Sequence, residues 1–335
     1  MSVSGTLLQE LPVAKVTWAS KPEIQVLQFT FGGRELAGIS VRTLSVTTPF
    51  IRLGTNLEAT LPSWECLPKD IDAAVVPAQP IETLPAQLSF LPESLRYVVS
   101  CSDRYLVDLQ GSFPAYMQKF SSKSRSELRR TVRKFAEYSG GQIRWREFKS
   151  PTEMIEFHGL AVEVSSRSWK VKSGGPGFPR SPEFGKRLAE RARDELVRGY
   201  MLFHSDRPVT YIHYRVEEDR LVGVHVAYDD EYGWWSPGNV LFLSVVEKLF
   251  EEQRYRYVDF GDGVLSYKQF FATNQVRCAR IFYFRRTLRN LAIVGAHCAL
   301  NRTSVGIGKA MGTLGLKKRI KRLMMGKQYR PSQAA

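Results

Sequence analysis

The order of strand-like and helix-like segments between residues 142 and 284 is the feature that most restricts how this chain can fold. A predicted strand is followed by two helices, three strands, a turn containing glycine, and then a helix, a strand, a short helix and a last strand. Such segments bury their apolar faces when helices pack on both sides of one sheet. The sequence therefore predicts an α/β (α+β) domain whose mixed central sheet is flanked by helices. In chain order the predicted segments are 142–148, 151–169, 181–198, 200–203, 208–216, 221–228, 239–253, 256–260, 265–271 and 279–284.

The N-terminal part of the chain has a less regular pattern. Residues 24–31 and 36–46 predict two strands, because apolar and β-branched residues recur in short runs around a pair of glycines. Residues 61–92 are rich in proline and poor in periodicity, which predicts loops with one short helix. Residues 96–101 and 105–109 predict two more short strands. We expect this part to form an α+β domain of its own.

A basic helix is predicted between these two parts. Ser124 and Glu127 have the spacing of a capping box, in which each side chain satisfies a free backbone N–H at the start of a helix. Arg129 and Arg133 then lie one turn apart on the predicted helix. We interpret it as a solvated linker helix. The alternative is a stripe of cations that helps to hold an anionic donor or acceptor.

The sequence Trp-Trp-Ser-Pro-Gly at 234–238 joins a predicted strand to a predicted helix. Ser236 is a favoured helix cap, and Pro237 suits the first helical position, where no N–H is needed. Gly238 adds no side chain, so we expect the N–H groups of residues 238–240 to be open on one side. Those groups and the positive end of the helix dipole predict an anion site, although a cap without any ligand is the simpler interpretation of this motif alone.

The fine pattern around this joint resembles a known family. AYDDEYGWWSPGNVLFLSVVEKL followed by VDFGDGVLSYKQFFA is similar to the CelD-like, cellulose-biosynthesis-associated branch of the GNAT acyltransferases, which are relatives of the Fem-type peptidoglycan transferases. The resemblance covers residues 120–285, including the arginine-rich helix. It differs from ordinary GNAT enzymes in the phosphate loop, where Ser-Pro-Gly replaces Gln/Arg and two spaced glycines. The residues that match are Tyr228, Asp229, Ser236, Pro237, Gly238, Asp259, Gly261, Gly263, Tyr267 and Lys268.

The resemblance implies a donor site for acetyl-CoA or another acyl-CoA. The thioester would lie between the strands predicted at 221–228 and 256–260. The donor pyrophosphate would rest on the backbone of Trp235, Ser236, Pro237, Gly238, Asn239 and Val240, with Tyr228 and Lys268 also at the donor. Tyr267 would protonate the departing thiolate, since a phenol stays protonated at neutral pH. The alternative for Tyr267 is a packed aromatic residue, and for Lys268 a surface lysine.

The general base is less clearly indicated. Glu163, His213 and Asp262 are the candidates that can take a proton from an attacking amine, directly or through water. If a regular hairpin pairs residues 216 and 221, His213 and His225 lie on opposite faces of the sheet. The sequence therefore predicts no zinc site at these histidines, and no metal ligand set elsewhere.

The charge of the chain is concentrated at its C-terminal end. None of the 33 acidic residues follows Asp262, so the net charge of +15 belongs to the region beyond it. Residues 302–327 mix apolar and basic side chains, and such a segment can fold on an anionic membrane surface. Nucleic acid is the alternative partner and is disfavoured, because aromatic residues for base stacking are nearly absent after Phe284. A tail that only improves solubility is the third interpretation.

The cellular compartment of the protein is indicated by sequence features that are missing from the chain. The first residues have no basic start followed by an apolar core, and the apolar run 291–300 is too short to span a bilayer. The four cysteines contain no Cys-x-x-Cys pair, which favours free thiols in a reducing compartment. We therefore expect a cytoplasmic protein, peripheral at the inner face of the membrane.

These expectations combine into one hypothesis. By resemblance, two GNAT-like halves are expected, as in Fem-type proteins: a partial domain at 1–115 and the acyltransferase domain at 141–285, with the basic linker helix at 116–140 and the basic tail at 286–335. The implied function is an acyl-CoA-dependent N- or O-acyltransferase that moves an acetyl group to an amine or hydroxyl of an acceptor, such as a sugar, in cell-surface polysaccharide metabolism. The alternatives are a Fem-type transferase that uses aminoacyl-tRNA, and a non-catalytic adaptor that holds to the membrane through its tail.

Overall fold

The computed structural model describes residues 16–19, 21–31, 34–46, 56–261, 263 and 265–313. The chain divides into two compact units. The first unit contains Ser102–Arg277, and the second contains the described residues of Leu11–Cys101 and Cys278–Ala335. The division of the chain into four segments, made from the sequence, stays a prediction.

The regular elements follow one another along the chain in the order that their numbers give. The strands are β1 (Glu23–Phe31), β2 (Arg34–Ser45), β3 (Ala73–Pro80), β4 (Leu88–Phe90), β5 (Ser94–Asp108), β6 (Arg144–Phe148), β7 (Val197–His204), β8 (Arg207–Glu217), β9 (Arg220–Tyr228), β10 (Tyr257–Asp259) and β11 (Asn274–Arg285). The helices are α1 (Phe113–Gln118), α2 (Ser122–Tyr138), α3 (Pro151–Arg167), α4 (Trp169–Lys172), α5 (Pro182–Arg193), α6 (Pro237–Glu252), α7 (Ser266–Phe271) and α8 (Leu288–Thr313).

The first unit is built on a mixed sheet in the order β5-β10-β9-β8-β7-β6. Its neighbouring strands are antiparallel except β9 and β10, which run parallel. Successive residues of β8 point to opposite faces of the sheet. Tyr211 packs with Phe157 in the cluster of α3 and α5, and Ile212 packs with Val245 in the cluster of α6. Helices therefore cover both faces, as the sequence predicts.

Helix α6 is deeply buried and packs in the same core cluster as residues of the parallel strands β9 and β10. Val245, Val246 and Leu249 are completely buried, because they recur on one face of the helix. Val240, in the first turn, is completely buried as well. The helix ends at Gln253, whose φ of 50° takes the chain out of the helical conformation. This packing fixes the position of the helix start, which is the Ser-Pro-Gly joint.

The start of α2 differs from the prediction. The cap is Ser121, whose side chain accepts a hydrogen bond from the Ser124 N–H, so the helix begins earlier than a capping box at Ser124 requires. Glu127 pairs instead with Arg130. The capping box lies at α3, where Ser150 and Glu153 exchange the two hydrogen bonds.

In the second unit the strand order is β1-β2-β3-β11-β5, and β4 also pairs with β5. Helix α8 covers one face of this sheet, where Val294 and Cys298 pack with Phe282 and Phe284. Strand β3 lies where the sequence predicts loops, and it pairs parallel to β2 and antiparallel to β11. β5 is one continuous strand where two are predicted.

The predicted basic tail extends beyond the described part of the chain. Residues 302–313 belong to the end of α8, and residues 314–335 lie outside the described residues. Among the helices of the described ranges, none has the length and apolarity that crossing a membrane requires.

Candidate active site

A cavity of about 830 Å³ opens in the first unit where β9 and β10 separate. The two strands pair over three residues only, the last pair being Val222 with Asp259. Beyond this pair, both sides of the gap line the cavity: residues 223–228 of β9, and Phe260 and Gly261 after β10. The volume falls in the range of ordinary small-molecule and cofactor sites.

A buried carboxylate lies where the gap between β9 and β10 begins. Asp259 is fully buried and pairs with Arg104 at 2.9 Å and Arg220 at 3.2 Å. Its other oxygen accepts the Gly261 N–H at 2.8 Å, which turns the chain after β10. A Cβ on Gly261 would lie 2.8 Å from the Gly223 carbonyl oxygen, so only glycine fits at this close approach. The network sets where the two strands part.

A second buried carboxylate holds the far end of β9. Asp229 is fully buried, and one of its oxygens lies 2.6 Å from Arg167 Nε and 2.7 Å from Arg207 Nη2. Its other oxygen accepts the Glu231 N–H at 3.2 Å. Because Arg167 lies at the end of α3, this network ties that helix to the strand that lines the cavity.

The start of α6 lies at the cavity, but its N–H groups are not as open as the sequence predicts. The N–H groups of Asn239 and Val240 bond to the Ser236 carbonyl oxygen at 3.0 and 3.3 Å. Gly238 has no hydrogen-bond acceptor for its N–H among the described residues. Ser236 occupies the cap position in a left-handed conformation, with φ of 48°, and its side chain makes no capping bond. A Cβ on Gly238 would meet nothing within 4 Å.

Not every residue predicted for the donor lines the cavity. Trp235 stacks on the Tyr138 ring with centroids 4.2 Å apart, and Val240 is buried in the core under α6. Neither contributes to the cavity wall. The predicted donor residues that do line the cavity are Tyr228, Ser236, Pro237, Gly238, Asn239 and Lys268.

Tyr267 and Lys268, at the start of α7, both line the cavity. The Tyr267 ring packs edge-on against Phe260 at 5.9 Å, and burial raises the pKa of its phenol. Lys268 is buried, with Nζ 3.5 Å from the Gly261 carbonyl oxygen. A phenol with a raised pKa keeps its proton at neutral pH and can donate it to a departing group.

The prediction that His213 and His225 lie on opposite faces is wrong. Val216 does pair with Leu221, but the register shifts between His213 and Tyr214 because β9 carries one extra residue at that point. This bulge moves His225 onto the same face as His213. The two rings stack at 5.4 Å, and their Nδ1 atoms are 3.1 Å apart.

Of this pair, His225 lines the cavity and His213 is buried behind it. Burial, together with the nearby His225, lowers the pKa of His213 to about 3. Burial and then the Lys170 charge lower the pKa of His225 below its usual value. Both rings are therefore neutral at pH 7, and the pair shares a single hydrogen between its Nδ1 atoms.

The other two candidates for the base are less favourably placed. Glu163 lies on α3, half-exposed, and forms an ion pair with Arg167 at 2.5 Å without lining the cavity. Asp262 lies outside the described residues. Within the described ranges, no group of three His, Cys, Asp or Glu side chains is arranged to hold a metal ion.

The connection between α3 and α5 forms another wall of the cavity, which the sequence patterns do not indicate. Asp230 accepts the Trp169 N–H at 2.7 Å and pairs with Lys172 at 3.2 Å. Ser165 Oγ accepts the Phe178 N–H at 2.8 Å, which fixes the end of the loop. Trp169 lines the cavity and remains 68% exposed.

The chain is similar to known proteins over this region. Residues 122–269 match the family described as acetyltransferase (GNAT) domain. The crystal structure of FemX superposes with a TM-score of 0.52 at 8% identity, covering 81% of this chain and 90% of that chain. The structure of L-PGS from Bacillus licheniformis superposes with a TM-score of 0.45 at 14% identity, covering 80% of this chain and 87% of that chain. The paia N-acetyltransferase from Thermoplasma acidophilum, in complex with coenzyme A, superposes with a TM-score of 0.24 at 20% identity. The superposition covers 33% of this chain and 74% of that chain. No curated protein matches the sequence.

The family match and the likeness to FemX agree with the mixed sheet and the flanking helices described above. They confirm the predicted GNAT fold, while the CelD-like branch stays a prediction. The separated parallel strands and the helix that starts between them lie inside the matched residues. Residues 122–269 thus match a GNAT acetyltransferase domain, and the match implies an acyltransferase enzyme with a GNAT-like fold.

Proposed function

We propose that this protein transfers an acyl group, in the simplest case acetyl, from coenzyme A to an amine or hydroxyl acceptor in the cavity between β9 and β10. The observation that carries the proposal is the separation of these parallel strands beside the start of α6. An elongated thioester fits such a gap, and its pyrophosphate meets the Gly238 N–H and the positive end of the helix. Lys268 adds a positive charge to the same lining.

The reaction then needs one proton removed and one supplied. The acceptor nitrogen attacks the thioester carbonyl, so that a C–N bond forms and the C–S bond breaks. Tyr267 gives its phenolic proton to the departing thiolate, since its raised pKa keeps it protonated. The products are an amide and the free thiol of coenzyme A. With a hydroxyl acceptor, a C–O bond forms in the same way.

His225 receives the proton that the acceptor loses. Its Nδ1 faces His213, which leaves Nε2 for the cavity. In this arrangement His225 donates its Nδ1 hydrogen to His213, and Nε2 carries the free electron pair. His213 acts as a positioning residue, because it holds the ring orientation and the tautomer of His225 without touching the acceptor.

The donor part of the proposal is tested by thermal unfolding with coenzyme A, acetyl-CoA and, as a phosphate control, ATP. A ligand at about a hundred times its dissociation constant adds roughly 2.7 kcal/mol to the free energy of unfolding, which raises the melting temperature by several degrees. We expect this rise with both coenzyme A species and not with ATP. The variant Gly238→Glu should abolish it, because a carboxylate would occupy the pyrophosphate site.

Gly159→Glu is the matched control. Gly159 is also a helical glycine whose added Cβ would meet nothing within 4 Å, and it does not line the cavity. Both variants should fold, and the control should keep the rise. If Gly238→Glu keeps it as well, or if coenzyme A causes no rise in the parent protein, the donor assignment is wrong.

The remaining expectations extend the same proposal. An acceptor in cell-surface polysaccharide metabolism is supported by the sequence resemblance, and an anionic membrane surface by the charge of the C-terminal region. A rise with aminoacyl-tRNA in place of coenzyme A would favour the Fem-type alternative. An adaptor without catalysis would tolerate Tyr267→Phe in a cellular assay.

A further inference from the structure

The cavity is lined by more positive than negative side chains. Asp230 is the acidic residue among the described lining residues, and its charge is already used by the Trp169 N–H and by Lys172. The basic residues of the lining are Arg104, Lys170, Arg215 and Lys268. A site of this sign attracts anions and disfavours additional cations.

Lys170 differs from the other basic residues of the lining. Arg104 pairs with Asp259, and Arg215 pairs with Glu217. Lys170 forms no ion pair with any described residue, although its exposed side chain is part of the cavity wall. It lies on α4, in the α3–α5 wall, and its charge acts on His225. Lys170 and His225, the imidazole that we assign to the acceptor side, thus line the same cavity.

Trp169 gives the same wall a flat apolar surface. Its backbone is held by Asp230, and its side chain is 68% exposed at the cavity. An exposed tryptophan held at a fixed position is a common feature of binding sites. Next to it, Lys170 supplies a charge without a partner in the described protein. Together they suit a molecule with an apolar or flat body and a negatively charged group.

We infer that the acceptor carries a carboxylate or phosphate group, which Lys170 binds while Trp169 contacts the body of the molecule and the nucleophile lies at His225. The inference rests on the proposed function and names the chemical class of its acceptor. It also fits the chemistry, because positive charge in the cavity disfavours the protonated form of an amine and so favours the nucleophilic neutral form.

The test uses three amines of equal length as probes, with acetyl-CoA as donor and release of the free thiol as the readout. They are 3-aminopropanoate, 3-aminopropanamide and 1,3-diaminopropane, which place a negative, a neutral and a positive group at the same distance from the amine. We expect kcat/KM to be about tenfold higher for the carboxylate than for the amide, and lowest for the diamine. Higher kcat/KM for the diamine than for the carboxylate would overturn the inference and leave the transferase proposal intact.

Lys170→Met should remove the preference for the carboxylate over the amide, because the KM for the carboxylate rises to that for the amide. Lys186→Met is the matched control, because Lys186 is an exposed lysine of α5 outside the cavity lining, and it should keep the preference. A preference that survives in Lys170→Met contradicts the inference.

If no probe is acetylated, binding replaces turnover as the readout. The carboxylate probe should then raise the melting temperature of the coenzyme A complex more than the amide does, and Lys170→Met should remove the difference. An equal effect of the two probes on the parent protein overturns the inference. Failure of coenzyme A itself to raise the melting temperature counts against the proposed function.

Discussion

At the scale of single residues, Tyr267 and His225 have pKa values shifted in opposite directions by the same cause. Burial raises the pKa of the Tyr267 phenol and lowers the pKa of the His225 imidazole, so both are neutral at pH 7. One group therefore holds a proton and the other can accept one, as an acyl transfer requires. This is the protonation state in which the proposed reaction begins.

The pH profile of kcat/KM follows from these shifts. Activity should rise with pH through the pKa of His225, which lies below its usual value of 6.5, because only the neutral ring accepts a proton. It should fall again only when Tyr267 loses its proton, above the usual phenol pKa of 10. The measurement is the steady-state rate between about pH 5 and pH 10 with a hydroxyl acceptor, whose own ionisation does not interfere, and within this range we expect a rise at low pH followed by a plateau.

Two variants test the roles of the two groups. Tyr267→Phe should lower kcat by about 10²- to 10⁴-fold, the usual contribution of a general acid, and His225→Gln should remove the acid limb. Tyr214→Phe is the control, since Tyr214 also lines the cavity but on β8. A larger loss in Tyr214→Phe than in Tyr267→Phe would move the acid to Tyr214.

At the scale of elements, the Asp259 network decides where β9 and β10 separate. Asp259→Asn removes the buried negative charge that Arg104 and Arg220 share, and removal of one member of a buried pair costs about 3–5 kcal/mol of the free energy of unfolding. The measurement is chemical denaturation of the parent and the variant.

Asp206→Asn is the control for this change. Asp206 pairs with Arg144, and its side chain is 95% exposed, so its loss should cost about 1 kcal/mol or less. Equal and small losses in the two variants would show that the network does not hold the gap.

The elements around the site are predictable from the sequence because each has a strong local pattern. α6 is predicted to within two residues by its apolar face and by Pro237 at its start, and β8 and β9 by their apolar and β-branched residues. β3 is not predictable in this way. Pro77 and Pro80 lie within it, and proline normally argues against a strand that has partners on both sides.

The contacts that shape the site are less predictable than the elements. The His213–His225 pair depends on one extra residue in β9, and no local pattern marks the position of a bulge. Asp259 is recognisable as part of a motif, but its partner Arg104 is 155 residues away in the chain. Long-range pairs of this kind follow from the sheet order, which the sequence pattern gives only in outline.

At the scale of the whole molecule, charge is distributed in two blocks. The 33 acidic residues all precede residue 263, and the region after it carries the net charge of +15. Each basic residue near an anionic bilayer contributes on the order of 1 kcal/mol to binding. A chain that ends at residue 301 should therefore lose sedimentation with phosphatidylserine vesicles, while the parent sediments at low salt and is released at high salt.

Vesicles of neutral phosphatidylcholine are the control and should sediment neither protein. If the shortened chain still sediments with anionic vesicles, the attachment lies elsewhere. The shortened chain should keep its response to coenzyme A, because every cavity residue precedes residue 272.

The short pairing of β10 has a consequence for selectivity. From Gly223 to Tyr228 the main chain of β9 faces β8 on one side, and no described strand pairs with its other side. The proposed coenzyme A donor is an extended molecule with amide groups, and it can complete the sheet there through bonds to the peptide N–H and C=O groups of β9. Recognition of this kind uses atoms that every residue has in common. Because the main chain would hold the donor, side-chain substitutions along β9 would change which acceptor is used and leave donor binding intact. Proteins with this fold can therefore acquire new acceptors and keep coenzyme A as the donor.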